Sequence, residues 1–188
     1  AGAIEVTAVG NGTEPDFEAG DDSIVGGPNA TGAITINADS IALGGTTSVQ
    51  SSGALTIQPR SATTTIGLGG GTGTLNLDDT ELGFLSDGFS SITIGDATNT
   101  STVDIDSAAF TDPINILGTT IDVADDLDAG ANVVTLTATT ILTETGVGTG
   151  TDVTGSTVTF NGNVSPGASP GQIVVDGDVT FDSSDTFT

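Results

Sequence analysis

Lysine, histidine, cysteine, methionine, tryptophan and tyrosine are all missing from this 188-residue chain, and Arg60 is its only base. Against that one cation stand 25 carboxylates, for a formal net charge of −24. A chain without a cationic surface cannot neutralise phosphates, which excludes nucleic acid as a partner. An anionic bilayer repels it for the same reason, and membrane insertion is not expected. Without cysteine there is no disulfide framework and no thiolate metal site. No apolar run approaches ~18 residues, the minimum for a spanning helix, and no basic-plus-apolar leader opens the sequence. Either a signal peptide has been removed or this is an interior piece of a longer chain. The interior piece is the expectation here, because Val179-Thr180-Phe181 and Phe187-Thr188 still read as strand.

What is present is a rhythm. Short bursts alternate apolar residues with Thr, Ser or Asn: Ile34-Thr35-Ile36, Leu55-Thr56-Ile57, Leu75-Asn76-Leu77 and Ile92-Thr93-Ile94. Period-2 alternation rich in β-branched residues marks half-buried strands, and no helical period appears. Thr35, Thr56, Asn76 and Thr93 are 21, 20 and 17 residues apart. A repeat of that length built from short strands indicates a coil that stacks on itself. Further on, the centres Thr93, Asp104, Asn115 and Asp122 are 11, 11 and 7 apart, which fits successive sides of one coil. Gly, Asn and Asp punctuate the bursts and supply corner conformations. The chain divides into residues 1–31, a strand followed by an acidic cap or linker; 32–145, the β-helix repeats; and 146–188, a Pro-Gly-rich continuation of the stack. About nine coils of ~20 residues would give a rod of roughly 45 Å.

Two stretches carry family resemblances. Residues 53–106 (GALTIQPRSATTTIGLGGGTGTLNLDDTELGFLSDGFSSITIGDATNTSTVDID) resemble repeats of large secreted bacterial proteins of the filamentous-haemagglutinin type. That resemblance implies a right-handed parallel β-helix, export to the cell surface, and an adhesive or matrix role. Residues 161–179 (NGNVSPGASPGQIVVDGDV) are similar to the SPG-x-SPG repeat of autotransporter passenger domains. There each Pro-Gly pair presets a turn and the following apolar run starts the next strand.

The candidate chemistry is acidic. The run Gly69-Gly70-Gly71-Thr72-Gly73-Thr74-Leu75-Asn76-Leu77 approximates the calcium nonapeptide, but Leu75 stands where the ligand Asp belongs and only one copy exists. A plain Gly-rich corner is expected. Acids cluster at Asp21-Asp22, Asp78-Asp79-Glu81, Asp104-Asp106 and Asp125-Asp126-Asp128, none with helix–loop–helix calcium spacing. Carboxylates stacked ~4.8 Å apart in a coil repel by roughly 0.9 kcal/mol in water. Weakly held Ca²⁺ is one relief, with Asp125, Asp126 and Asp128 as its candidate ligands; solvated turn acids are the other reading. Asp104 and Asp106 share a strand face, as a glycan-cleaving carboxylate pair would. A chain with seven Phe and no Trp, Tyr or His offers a sugar few platforms, so no enzyme and no catalytic residue are expected. Arg60 is expected in a buried pair with a neighbouring carboxylate. The Phe side chains are expected to pack inside or cap the stack.

The reading is therefore an all-β chain, a right-handed parallel β-helix, with a β-sandwich as the alternative. Its expected role is a structural or adhesive rod of a secreted bacterial surface or matrix protein, extracellular in location. A calcium-dependent surface-layer module is the second reading. The expected partners are further copies of itself, end to end or side by side, or cell-surface and matrix glycans.

Overall fold

A computed structural model describes residues 2–10, 14–98, 101–143, 153–166 and 178–181. The chain winds into a parallel β-helix whose coils each lay short strands on up to three faces. The first coil carries β1 (Ile4–Thr7), β2 (Phe17–Ala19) and β3 (Ile24–Gly26); the second carries β4 (Ile34–Asn37), β5 (Ile41–Leu43) and β6 (Ser48–Gln50). The third holds β7 (Leu55–Gln58), β8 (Ile66–Gly69), β9 (Leu75–Leu77) and the one-turn helix α1 (Asp79–Leu82). The fourth has β10 (Ile92–Gly95), β11 (Thr102–Asp106) and β12 (Ala108–Ala109); the fifth has β13 (Ile114–Leu117), β14 (Thr120–Val123) and β15 (Leu127–Asp128). Then follow β16 (Val133–Thr143), β17 (Val153–Thr154), β18 (Thr157–Pro166) and β19 (Asp178–Phe181).

Every strand pairing among the described residues is parallel. That overturns the β-sandwich alternative, whose sheets are built from antiparallel strands. On the first face, β1, β4, β7, β10, β13, the start of β16, the start of β18, and β19 stack as eight levels. Among the described residues their height is roughly 34 Å at the usual strand spacing.

Period-2 patterning decides which side chain goes where. Inward on the first face point Ile36, Ile57, Ile94, Ile116, Leu136 and Phe160, in register and at most 1% exposed. On the second face Ile66, Val103, Ile121 and Ile141 do the same. These side chains suit strands and fill the bore. The alternate residues Thr35, Thr56, Thr93, Asn115, Thr135 and Thr159 form a matching outward ladder on the first face. β16 runs from the first face onto the second; its register against β18 shifts between Thr137 and Thr140, where the corner falls.

Several expectations need adjustment. Within residues 1–31, β1, β2 and β3 make a coil paired strand for strand with the next. Asn76 does not sit between Thr56 and Thr93 on one column. Thr56 and Thr93 are direct partners, and Asn76 lies on the second face beside Gly67. Of the Phe set, Phe89, Phe110 and Phe160 are buried, while Phe17 and Phe84 pack partly buried against the core. Residues 167–177 of the SPG-x-SPG stretch, residues 144–152 and the Asn11-Gly12 turn lie outside the described residues.

Candidate functional site

The third coil breaks the rhythm, and the break makes a groove. After β8 the Gly-rich run folds back on the strand it has just left, so that β9 pairs alongside β8 only nine residues later, Ile66 against Leu75 and Leu68 against Leu77. This reversal works only with glycine at the contact. A Cβ on Gly73 would lie 2.2 Å from the Gly67 nitrogen, and one on Gly67 would lie 2.6 Å from the Gly71 carbonyl oxygen. Leu75, the residue in the calcium-ligand position, is fully buried in the bore. One coil has thereby supplied two strands to the second face.

From β9 the chain turns through α1. Asp78 caps it: its carboxylate accepts the Glu81 N–H (2.9 Å) and Glu81 Oε2 accepts the Asp78 N–H (3.1 Å). This reciprocal pair fixes the start of a helix too short to hold itself. The other oxygen of Glu81 reaches β5 and accepts the Leu43 N–H at 2.8 Å. The helix then delivers Leu85 to the third face, where it forms a single parallel bridge with Val49 of β6. Above that bridge the third face restarts only at β12, which continues to β15 and β17.

Between Leu85 and β12 lies a groove of about 800 Å³, a size usual for binding clefts. Leu82, Leu85 and Phe110 supply apolar lining; Asp79, Asp87 and Asp128 are among its polar residues. Apart from Ile92, its remaining lining is small or hydroxylated, including Ser86, Ser107, Ala109 and Thr111, with no cationic side chain.

Elsewhere several acids serve as hydrogen-bond acceptors at corners. Asp39 accepts from the Ser61 N–H (2.7 Å), the Ser61 hydroxyl (2.6 Å), the Thr64 hydroxyl (2.9 Å) and Arg60 (3.2 Å). Burial pushes this carboxyl's pKa up, but the hydrogen bonds from Ser61 and Thr64, together with the Arg60 charge, outweigh it and hold the pKa below its ordinary value. One level down, Asp16 accepts the Asp39 N–H at 3.1 Å, so an acid of the first coil receives the backbone of the second as Asp39 receives that of the third. Asp112, 5% exposed, accepts the Gly88 N–H with both oxygens, at 3.1 and 3.2 Å. Asp96 is held low by the hydroxyl and N–H of Thr98, both at 2.6 Å, against a smaller opposing effect of burial.

Asp104 accepts the N–H and hydroxyl of Thr72, both at 2.8 Å, and so ties the Gly-rich corner to β11. Asp106 faces the same corner, its carbonyl accepting the Gly70 N–H. Asp104 is in register with Asp122 of the next coil, a stacked acid pair of the kind the repeat allows. The nominated metal ligands do not act together. Asp125 accepts the Ser107 hydroxyl at 3.1 Å, Asp126 is exposed and its carbonyl takes the Ala108 N–H, and Asp128 closes a tight turn by accepting the Gly130 N–H at 2.7 Å. Only Asp128 lines the groove. Among the described residues no group of three or more acidic side chains is placed to hold a metal ion. Arg60 does pair with a carboxylate, that of Asp39, but its side chain is 42% exposed rather than buried.

The sequence held a signal for this site that its strand rhythm obscured. Asp78-x-x-Glu81 is a capping-box pattern, and it marks where the coil departs from three plain strands. No protein-family model matches the chain, and neither a curated protein nor a solved structure matches it.

Proposed function

We propose that this chain is a structural rod segment of an exported bacterial surface or matrix protein, working by mechanical continuity. The observation that carries this reading is the first-face ladder, eight parallel levels in register over a filled Ile/Val/Leu/Phe bore. In such a stack each backbone bond loaded along the axis is backed by its neighbours and by buried apolar side chains. The Thr and Asn side chains that coat the outside, and the excess of carboxylates, favour a hydrated saline setting. The outward ladder of hydroxyls also offers hydrogen-bonding groups to glycans, the adhesive part of the role.

Cryo-electron microscopy with small-angle scattering tests this. A rod reading expects an elongated particle about as tall as eight strand levels, and end-to-end association into filaments that keep the ~4.8 Å repeat. Round particles at every concentration, with no axial association, would contradict it.

A further inference from the structure

The groove on the third face has the shape of a missing strand. On one wall, the Ala108 and Phe110 N–H groups both donate upward, to the Asp126 and Asp128 carbonyls at 2.9 and 2.8 Å. In a parallel ladder successive residues direct their backbone groups to opposite sides, so the N–H and C=O of Ala109 face the groove. On the other wall, Val49 donates to the Phe84 carbonyl and accepts from the Ser86 N–H, both at 3.0 Å. Those two residues are turned toward Val49, which leaves the Leu85 carbonyl turned away from it; the Leu85 N–H is bonded to Leu82. The edge of β12 and the single bridged residue Leu85 thus border one groove, and among the described residues the third face has no strand between them.

We propose that this groove docks an extended basic peptide segment of a partner protein, which completes the third face as an added strand. Strand addition joins main-chain hydrogen bonds with pockets for alternate side chains. Here alternate apolar side chains would meet Leu82, Leu85 and Phe110, and the intervening Lys or Arg would face Asp79, Asp87 and Asp128. The charge selects the occupant. A second copy of this chain cannot supply it, because its one cation, Arg60, is bound to Asp39. The partner is therefore a different, basic chain.

The test uses the whole chain and a capped pentapeptide of alternating lysine and valine, titrated by calorimetry at low salt. Two control peptides replace valine with glycine, or lysine with glutamate. The proposal expects binding of the lysine–valine peptide at least tenfold tighter than either control. Asp87→Asn with Asp128→Asn should weaken it at least tenfold. Glu5→Gln with Glu18→Gln, an equal loss of charge on the first coil, should change it less than twofold. Ala109→Pro removes the edge donor and should also cost tenfold; if that variant does not fold, N-methylation of the peptide's central residue replaces it and should cost the same. Absence of binding, equal weakening by the two charge-removing pairs, or indifference to both Ala109→Pro and N-methylation would overturn the proposal.

Discussion

The carboxylate of Asp39 receives both the N–H and the hydroxyl of Ser61, at 2.7 and 2.6 Å, and so fastens the second coil to the corner of the third. Exposed acids are usually solvated ornaments, but this one is 18% exposed and fully engaged. Replacing Asp39 with Ala should cost about 2–3 kcal/mol, since several donors lose a charged acceptor at once. Arg60→Ala should cost under about 1 kcal/mol, because that pair is largely in water. Chemical denaturation of the two variants decides the order; a larger loss from Arg60→Ala would show that the ion pair, not the corner, matters.

The pH dependence follows with a definite sign. The folded pKa of Asp39 lies below its unfolded value, so its stabilisation is fully present above the unfolded pKa and is lost as pH falls through the folded one. Asp96 acts in the same direction. Stability should therefore fall on acidification below about pH 4, and Asp39→Asn should flatten part of that slope. Thermal melts from pH 6 to pH 2 read this directly, and an unchanged slope in the variant would contradict the assignment.

The Gly-rich corner should tolerate no side chain. Gly73→Ala would drive a Cβ to 2.2 Å from the Gly67 nitrogen and should cost about 2–3 kcal/mol by overpacking. Gly20→Ala, with nothing within 4 Å of the added carbon, should stay within about 0.5 kcal/mol. Equal melting temperatures for the two variants would mean that β9 does not fold back on β8.

Glu81 is expected to hold two elements at once. Glu81→Ala removes the acceptor for Leu43 N–H and for Asp78 N–H and should cost about 1–3 kcal/mol. Amide exchange should quicken at both residues, and Glu81→Gln should restore part of the protection. Faster exchange at Asp78 alone would remove the helix from any role at the β5 edge.

Cations should act without preference. Several acids act as hydrogen-bond acceptors at corners, and among the described residues no group of three or more gathers to hold a metal ion. Screening should then stabilise this anionic chain equally with Ca²⁺ and Mg²⁺ at matched ionic strength. A rise in melting temperature specific to Ca²⁺ would reveal a real site.

The alternation of Ile with Thr carried most of the fold into view, because period 2 alone separates bore from surface. It placed Thr35 beside Thr56, as the register has them. It read Thr93, Asp104, Asn115 and Asp122 as successive sides of one coil, whereas Asn115 and Asp122 belong to the next coil and pair directly with Thr93 and Asp104. It misplaced Asn76, because alternation marks a strand but says nothing of which face receives it. The decisive local fact was the close approach of Gly67, Gly71 and Gly73, a contact invisible to any periodicity. The groove was illegible for a related reason. It arises where the third face lacks a strand among the described residues, so the capping box at Asp78 and Glu81 marks the break in the coil but no residue pattern announces the groove itself, and only Asp128 among its residues stood among the candidate ligands.

Disulfide trapping offers the most direct test of the stack, in a chain with no cysteine of its own. Thr56 and Thr93 are register partners across 37 residues, and neighbouring parallel strands bring Cα atoms to roughly 4.8 Å, within disulfide reach. The double variant Thr56→Cys, Thr93→Cys should oxidise quantitatively within the monomer, whereas Thr56→Cys, Asn76→Cys should stay reduced. Cross-linking of the second pair and not the first would contradict the register on which the rod, the groove and the missing strand all depend.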